Sequence, residues 1–391
     1  MLENTVTTFI KAGGGKHLSS RRVLYHLPER LFGYDILNQT IIQTHLSPVS
    51  VALCPTPFCV RECKFCSNAQ RNRKNKKSFF QLSPEVFNRV VDNLTLMKVQ
   101  GVSIAGGGEP LVYSGPILDG LILKSDIPFR IGIHTNGVVL KKILLREVFA
   151  GKNVSYINVS VVAHNPSLYS LVCGVSESQF FAVERNIVDM LCLAREVNSG
   201  ILPGVKILLC RENYSFAFNI FDYLRQLGVE NILIRCVGNF EPKQNIELFP
   251  EQVNNLIPIF RNKIGMNEDQ IMAVLGMRYN IGFLPMPSRC WICALQYTAG
   301  VDPDGEVYLC SPWSRKEYSI GNVNELDIQR IWGSKRHKEV ARMLNNNLRS
   351  GKCNPLLCRH YYSNLAIDSF ISGDIQALPI TNYEKGYGRF I

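Results

Sequence analysis

Three closely spaced cysteines are the residues of this chain with the clearest capacity for chemistry. They occur in the run Cys59-Val-Arg-Glu-Cys63-Lys-Phe-Cys66, just after the apolar segment from Ser47 to Leu53. Three thiolates from one loop can ligate a single cubane iron–sulfur cluster. Because a cubane has more irons than this loop has thiols, one iron is left open to a further ligand. The loop therefore predicts a reactive centre rather than a structural cross-link.

Zinc is the alternative occupant of this loop. Cys54 lies five residues before Cys59, so four cysteines could hold a structural zinc ion tetrahedrally. Structural zinc sites more often show paired C-x2-C knuckles, and only one such pair occurs here. The spacing therefore favours an iron–sulfur cluster over zinc.

A second group of cysteines lies near the end of the chain. Cys290-Trp-Ile-Cys293 is followed by a segment that predicts a β-hairpin, Tyr297 to Leu309, turning at Asp302-Pro-Asp-Gly305. The remaining cysteines of this group are Cys310, Cys353 and Cys358. A zinc ribbon is one interpretation of these ligand types, and a second cluster is the other.

Two polar turns follow strand-like segments. Ala105-Gly106-Gly107-Gly108-Glu109-Pro110 comes after the second predicted strand, and His134-Thr135-Asn136-Gly137 ends the third. A glycine run after a strand is by itself a weak signal for a close backbone contact. His134 alone is more typical of a satisfied core or lumen histidine than of a catalyst.

Together these motifs resemble the radical S-adenosylmethionine (SAM) superfamily with a C-terminal SPASM/twitch extension, over about residues 48 to 362. The resemblance implies that Cys59, Cys63 and Cys66 ligate a [4Fe–4S] cluster whose open iron takes the amino and carboxylate groups of SAM. Further residues match cofactor-binding positions of the family. The resemblance implies that Phe65 faces a flat base. It also implies that the turn Gly107, Gly108 and Glu109 holds the SAM amino group, with the Glu109 carboxylate pairing with the ammonium. Asn136 is implied to brace the site or to touch SAM or substrate.

Polar residues on later strands are further candidates. Asn158 and Ser160 share a face of the fourth strand by period two, which indicates a wet lumen. The resemblance makes Ser160 a candidate near the SAM ribose or carboxylate. Arg211 and Arg235 could pair with the SAM carboxylate or with a substrate anion.

The late cysteines match the shorter form of the extension, because a full SPASM domain has seven cysteines and only five are present here. The resemblance therefore implies one auxiliary [4Fe–4S] cluster. Four of the five cysteines would ligate it, or three would, leaving an iron open for substrate. The five are Cys290, Cys293, Cys310, Cys353 and Cys358.

The resemblance implies a radical mechanism. A flavodoxin- or ferredoxin-type donor reduces the first cluster, SAM is cleaved, and a 5′-deoxyadenosyl radical takes a hydrogen atom from the substrate. An auxiliary cluster suits net oxidation, whereas a lumen thiol suits epimerisation. Cys210 is the candidate hydrogen donor, since Cys236 turns outward if Arg235 faces the lumen. Core packing is nevertheless the role favoured for both thiols.

The pattern of elements predicts an α/β fold. Strand-like runs alternate with helical ones over residues 47 to 262, which favours a parallel sheet with right-handed crossovers. Six such units fall short of a closed eight-stranded barrel, so we expect a partial (β/α)6 TIM-like barrel. The predicted strands are Val49–Leu53, Val102–Ala105, Arg130–His134, Tyr156–Val162, Val205–Leu209 and Asn231–Val237. The expected divisions are an N-terminal extension 1–46, the barrel 47–282, the auxiliary-cluster domain 283–365 and a tail 366–391.

Composition limits the cellular setting. Thirteen cysteines in 391 residues, with no signal-peptide pattern or membrane-spanning apolar run, predict reduced thiols in the cytoplasm. Open-iron clusters are oxygen-labile, so we expect an oxygen-sensitive protein.

The formal charge of +11 includes a basic stretch from Arg61 to Lys77. This stretch is interpreted as a solvated loop, a dock for an acidic electron donor, or a grip on phosphate or nucleic acid. We expect a small-molecule substrate, such as a sugar, aminoglycoside or other natural-product intermediate, and anionic given the basic balance. Modification of a ribosomal peptide or protein side chain is the alternative. Two further alternatives have weaker support: modification of transfer RNA, and a non-catalytic nucleic-acid-binding protein that is stabilised by metal.

Overall fold

Six parallel strands form the centre of the protein. The computed structural model describes residues 34–35, 40–41, 46–66, 80–197, 200–238, 246–276, 286–310, 314–353, 358 and 360–373. After a short antiparallel pair, β1 Tyr34–Asp35 and β2 Thr40–Ile41, the parallel strands are β3 Ser50–Leu53, β4 Gly101–Ile104, β5 Arg130–Thr135, β6 Val154–Val161, β7 Leu202–Leu209 and β8 Ile232–Cys236. Their order in the sheet follows their order in the chain, which confirms the predicted α/β core.

Helices follow the strands and cover one face of the sheet. The first begins as its sequence predicts, with Pro84 at its start and the Ser83 side chain accepting from the Val86 N–H at 3.2 Å. The helices are α1 Pro84–Leu96, α2 Ser114–Ile117, α3 Lys142–Ala150, α4 Pro166–Cys173, α5 Ser178–Val197, α6 Ala217–Gln226, α7 Pro250–Pro258, α8 Glu268–Ile271, α9 Trp291–Ala294, α10 Ile328–Ile331, α11 Lys335–Arg349 and α12 Tyr361–Ile371.

The strands have one apolar and one polar face. Side chains such as Val51, Ile133 and Val159 point toward the helices and are fully or nearly fully buried in the main core. By period two, the alternate residues, such as Ala52, His134 and Asn158, face the lumen of the partial barrel. The apolar face explains why each segment forms a strand, and the other face is free to carry chemistry.

The predicted hairpin near the late cysteines is present. Strand β9, Thr298–Val301, pairs antiparallel with β10, Glu306–Tyr308, and β11, Gly321–Asn322, follows. What the sequence did not predict is that β9 lies parallel beside β3, with Leu53 opposite Val301. The barrel sheet therefore continues through β9 into the cysteine-rich segment as one nine-stranded sheet.

The predicted domain limits stay predictions. Helix α12 spans the expected limit between residues 365 and 366, and the limit at 282 lies outside the described residues. Most of the basic stretch, from residue 67 to Lys77, and the tail beyond residue 373 also lie outside the described residues. In the parts of the chain with described structure, no helix has the length and apolar character needed to cross a bilayer.

Candidate radical SAM and auxiliary cluster sites

The first cysteine loop follows β3 directly. Cys59 is exposed, while Cys63 and Cys66 are half-buried. The Cys66 N–H donates to the Cys63 carbonyl at 3.1 Å, which closes a tight turn over the C-x2-C pair. Upstream, the Thr56 hydroxyl accepts from the Phe58 N–H at 3.2 Å. These local bonds define the shape of the loop.

The glycine turn after β4 packs against this loop. The Gly108 N–H donates to the Thr56 carbonyl at 2.8 Å, and the Glu109 N–H donates to the Phe58 carbonyl at 2.7 Å. A Cβ on Gly108 would lie 1.9 Å from the Phe58 oxygen, and one on Gly107 would lie 2.6 Å from the Thr56 oxygen. Glycine is thus required by the close approach of the turn to the cysteine loop.

The Glu109 side chain is turned into the protein. It is 2% exposed. One carboxylate oxygen accepts from the Thr135 hydroxyl at 2.6 Å and the Leu111 N–H at 3.2 Å, and the other accepts from the Asn136 N–H at 2.6 Å. Burial raises the pKa of Glu109, and these hydrogen bonds oppose the rise. The predicted pairing of this carboxylate with an ammonium stays a prediction, because its oxygens are held by protein donors.

Asn136 connects the end of β5 to Cys59, a predicted cluster ligand. Its side-chain amide donates to the Cys59 sulfur at 3.6 Å, and its side-chain oxygen accepts from the Val138 N–H at 2.9 Å. Thr135, one residue earlier, binds Glu109. The Thr-Asn-Gly segment therefore links the glycine turn to the cysteine loop, and the role of Asn136 in bracing the site stays a prediction.

Three polar side chains on neighbouring strands form a chain across the lumen. The Tyr156 hydroxyl lies 3.2 Å from His134 Nε2, and the Lys206 ammonium lies 3.3 Å from His134 Nδ1. Arg235, on the lumen face of β8, is exposed. None of the six parallel strands contains Asp or Glu. The strand walls of the lumen are consequently basic and capable of hydrogen bonding.

The other predicted SAM-site residues are spread around the loop and the strand ends. Phe65 is half-buried against the main core. Ser160 shares the lumen face of β6 with Asn158, and its carbonyl accepts from Arg61 Nη1 at 3.4 Å. The Arg211 guanidinium lies 3.8 Å from the centre of the Phe249 ring. SAM contacts of Phe65, Ser160 and Arg211 stay predictions.

The two thiols considered as hydrogen donors are both buried. Cys236 is 7% exposed and points away from the lumen, as expected with Arg235 facing inward. Cys210 is 1% exposed and belongs to the main hydrophobic core. Burial raises the pKa of the Cys210 thiol. The hydrogen-donor role of Cys210 stays a prediction, and its burial in the core argues against it, since a donor must reach the substrate.

The late cysteines come together at one place. The Cys293 thiol forms hydrogen bonds with the Cys290 thiol and with the Cys310 thiol. Burial, followed by the nearby Cys290, Cys310 and Cys353 thiols, raises the pKa of Cys358. The five thiols therefore lie in one region of the structure, in line with the expectation of one auxiliary cluster.

Helix α12 supports the Cys290 turn from behind. The Asn364 side-chain oxygen accepts from the Ile292 N–H at 3.0 Å, and Asn364 also hydrogen bonds to the Cys290 thiol. One turn later, the Asp368 carboxylate accepts from the Ser288 N–H at 2.7 Å and from Trp291 Nε1 at 2.5 Å. The second cysteine site is thus built from a hairpin, a short helical turn and a supporting helix.

The donor sets fit iron–sulfur clusters. Both sites offer cysteine sulfur, the ligand that such clusters take. Among the described residues, no three His, Cys, Asp or Glu side chains are arranged to bind a single metal ion. A cubane is a larger body and takes thiolates distributed around it. Metal binding replaces the thiol protons, so the raised pKa of Cys63, caused by a hydrogen bond with Cys173 and by burial, makes loading pH-dependent.

Family models match both halves of the chain. A model described as the radical SAM superfamily matches residues 53–187, and the SPASM model, described as an iron–sulfur cluster-binding domain, matches residues 290–360. The chain belongs to the radical SAM superfamily. More narrowly, it is a radical SAM enzyme with a C-terminal SPASM domain, and its cofactors are SAM, the [4Fe–4S] cluster that binds SAM, and an auxiliary [4Fe–4S] cluster.

Similar proteins agree with this family. The tungsten-containing aldehyde ferredoxin oxidoreductase cofactor-modifying protein of Pyrococcus furiosus is 25% identical over 308 residues, covering 72% of this chain and 80% of the relative. Two solved structures share the fold. SuiB of Streptococcus suis bound to SAM has a TM-score of 0.55 at 15% identity, covering 81% of this chain and 72% of SuiB. Native anSMEcpe with bound SAM has a TM-score of 0.57 at 15% identity, covering 83% and 96%.

Sequence reasoning missed several residues that the structure brings to the site. Lys206 had a usable signal, because a lysine in an apolar strand must face the lumen by period two. Cys173, at the end of α4, had none, since only the fold places it beside Cys63. Arg61 was counted only as part of the basic stretch, although it is 5% exposed and its guanidinium donates to the Asn136 and Ser160 carbonyls.

Proposed function

We propose that this radical SAM enzyme acts on a small anionic molecule held in the barrel lumen, and that the auxiliary cluster assists its oxidation or epimerisation. The basic lumen carries this proposal. Lys206, His134 and Arg235 line the strand walls, and none of the six parallel strands offers an acidic side chain to a cationic substrate. A negatively charged group is the natural complement of these residues.

The name of the similar Pyrococcus furiosus protein supports a small-molecule substrate. That protein is described as modifying the cofactor of a tungsten-containing oxidoreductase. Its alignment covers 72% of this chain, so the similarity extends beyond the cysteine motifs. A cofactor or a biosynthetic intermediate with an anionic group fits both the name and the lumen better than a neutral sugar does.

Bound SAM and the first cluster supply a radical able to take a hydrogen atom; the protein positions the substrate for it. As an ammonium group, Lys206 donates to His134 Nδ1, so a neutral His134 carries its hydrogen on Nε2 and donates it to the Tyr156 oxygen. This chain fixes the imidazole ring.

The fate of the substrate radical depends on the auxiliary site. A cluster there suits electron acceptance, and hence net oxidation. Epimerisation instead needs a hydrogen donor, and the burial of Cys210 makes oxidation the better supported outcome. A flavodoxin- or ferredoxin-type protein is the proposed source of the first electron.

The first experiment is SAM cleavage. Anaerobically reconstituted, reduced protein is expected to form 5′-deoxyadenosine, and a variant with Cys59, Cys63 and Cys66 all changed to Ala is expected to form none. Absence of turnover from protein with a full iron complement would contradict the enzymatic proposal.

The second experiment tests the substrate class. Anionic small molecules, neutral sugars and short peptides are compared for their ability to stimulate 5′-deoxyadenosine formation. With the best anionic substrate, Lys206→Met is expected to raise KM about tenfold or more, since a charge-assisted contact is lost. Lys142→Met, on the exposed start of α3, is the matched control. Stimulation by peptides alone, or an unchanged KM in Lys206→Met, would overturn the anionic-substrate proposal while leaving SAM cleavage intact.

A further inference from the structure

Arg61 is a buried cation inside the first cysteine loop. It lies between the ligands Cys59 and Cys63 and is 5% exposed. Its Nη1 donates to the Ser160 carbonyl at 3.4 Å, and its Nη2 donates to the Asn136 carbonyl. One guanidinium group therefore ties the loop to the ends of β5 and β6, two strands that are adjacent in the sheet.

Helix α4 completes the anchoring of the same segment. The Arg61 guanidinium lies 4.9 Å from the centre of the Tyr169 ring, which is a cation–π arrangement. On either side of Cys63, the Glu62 N–H donates to the Cys173 carbonyl at 2.9 Å and the Lys64 N–H donates to the Val172 carbonyl at 3.1 Å. The last carbonyls of α4 thus hold the backbone around a cluster ligand.

The charge of Arg61 persists although the side chain is buried, because a guanidinium group does not deprotonate in proteins. Its Nε has no hydrogen-bond acceptor among the residues with described structure. The Cys173 and Cys63 thiols and the Glu109 carboxyl are among the groups that interact electrostatically with the Arg61 guanidinium. Charges in such a dry position interact more strongly than surface charges do.

We propose that Arg61 positions the cysteine loop and also raises the reduction potential of the cluster that binds SAM. Reduction by a flavodoxin- or ferredoxin-type donor adds one electron to the cluster with no bond made or broken at Arg61. A fixed buried cation stabilises the more negative, reduced state more than the oxidised one, and net charge and hydrogen bonding are known determinants of cluster potential. Arg61 is thereby a positioning residue with an electrostatic function.

The test is an anaerobic redox titration of the holoenzyme, followed by electron paramagnetic resonance of the cluster signal that responds to SAM. In Arg61→Gln, the ratio of reduced to oxidised cluster at a fixed potential is expected to fall about tenfold, which corresponds to ~59 mV for a one-electron couple. Lys64→Gln removes an exposed charge from the same loop and is expected to leave the ratio unchanged.

Arg61→Lys separates charge from positioning. The lysine keeps the charge but cannot reproduce the two-carbonyl fork, so we expect a nearly wild-type potential with reduced iron content at the first site. If Arg61→Gln assembles no cluster, Arg61→Lys still tests the electrostatic role. Because this variant keeps the positive charge, a tenfold change in its ratio of reduced to oxidised cluster would overturn that role. Wild-type iron content in both variants overturns the positioning role, and equal shifts in Arg61→Gln and Lys64→Gln overturn a specific role for the buried charge.

Discussion

Glu109 is the clearest case of a single buried side chain that connects two motifs. It belongs to the glycine turn by sequence, yet its carboxylate binds Thr135 and Asn136 at the end of the next strand. Asn136 in turn touches the Cys59 sulfur. A change at Glu109 therefore reaches the cysteine loop through two contacts.

Glu109→Gln tests this connection. An amide has one acceptor oxygen where the carboxylate has two, so at least one of the three donors loses its partner. We expect the free energy of unfolding to fall by about 1–3 kcal/mol, together with weaker SAM binding. Urea unfolding of the apoprotein and SAM titration measure the two effects. Glu147→Gln, the same change on the exposed face of α3, is expected to alter neither.

His337 makes stability depend on pH. It is fully buried at the start of α11, its Nδ1 accepts from the Gly333 N–H at 2.8 Å, and its ring lies 4.4 Å from that of Trp332. Burial, with a smaller effect of the Lys338 charge, lowers its pKa from 6.5 to about 4. The folded protein therefore holds His337 neutral at a pH where the unfolded chain is already protonated.

The sign of the effect follows from linkage. Between about pH 6.5 and 4 the unfolded state binds the extra proton, so acidification through this range lowers stability by up to about 1.4 kcal/mol per pH unit. His337→Asn keeps an acceptor for Gly333 and does not titrate. We expect the difference between wild type and variant in urea unfolding to change with this slope between pH 6.5 and 5. A difference that is independent of pH would contradict the assignment.

At the scale of single residues, the spacing of the cysteines predicted the cluster ligands. The side chains that surround these cysteines could not be predicted from spacing. Cys59, Cys63 and Cys66 could be named because cluster ligation demands thiols at short, fixed intervals. The buried position of Arg61 could not, because an arginine in a basic stretch is ordinarily solvated. Its environment is created by β5, β6 and α4, which are distant in sequence.

Helix α4 ends against the cysteine loop, and its last residue is followed by a glycine in the left-handed region. Gly174 has φ +66°, and its N–H donates to the Ser170 carbonyl at 2.9 Å. A Cβ at Gly174 would lie 3.1 Å from the Glu62 carbonyl oxygen. The conformation and the contact both favour glycine, and they have separable consequences.

Gly174→Ala and Gly265→Ala form a matched pair. Gly265 also ends a helical segment, with φ +79°, but a Cβ there meets no atom within 4 Å. Both variants are expected to lose about 1 kcal/mol of stability through backbone strain. Only Gly174→Ala is expected to lower the iron content of the first site, measured after reconstitution. Equal iron content in the two variants would show that the contact with Glu62 has no effect on loading.

The strands of the barrel were predictable because each is a short apolar run with β-branched residues between helical stripes. The pairing of β9 with β3 was not predictable. The hairpin at Asp302 to Gly305 specifies its own antiparallel partner locally, whereas the choice of β3 depends on the packed molecule. Non-local pairing is the part of a sheet that periodicity does not encode.

At the scale of the whole molecule, the two iron–sulfur regions share one sheet. Strand β9 supplies backbone partners to β3 from Ser50 to Leu53, and the Cys54 N–H donates to the Val301 carbonyl at 2.9 Å. Arg89 on α1 adds an ion pair of 3.3 Å with Asp327 near α10. The SPASM region is consequently fixed to the side of the barrel that carries the first cysteine loop.

Removal of the SPASM region is expected to destabilise the barrel as well as to abolish the auxiliary cluster. A chain that ends at residue 285 lacks β9 and leaves β3 as an open edge, which favours association between copies. We expect light scattering after refolding and anaerobic cluster reconstitution to increase strongly relative to full length. Full-length protein with Cys290→Ser and Cys310→Ser keeps β9 and is expected to remain dispersed. Comparable scattering from both variants would assign the effect to cluster loss.

The pairing of β9 with β3 also sets an order of events during translation. The ribosome delivers β3 and the three predicted ligands of the first cluster early, but the neighbour that covers β3 emerges only with the hairpin at Thr298. Throughout that interval the nascent barrel exposes a bare strand edge directly beside unliganded thiols. Slow elongation lengthens this exposure, so the yield of intact enzyme is expected to depend on the rate of elongation.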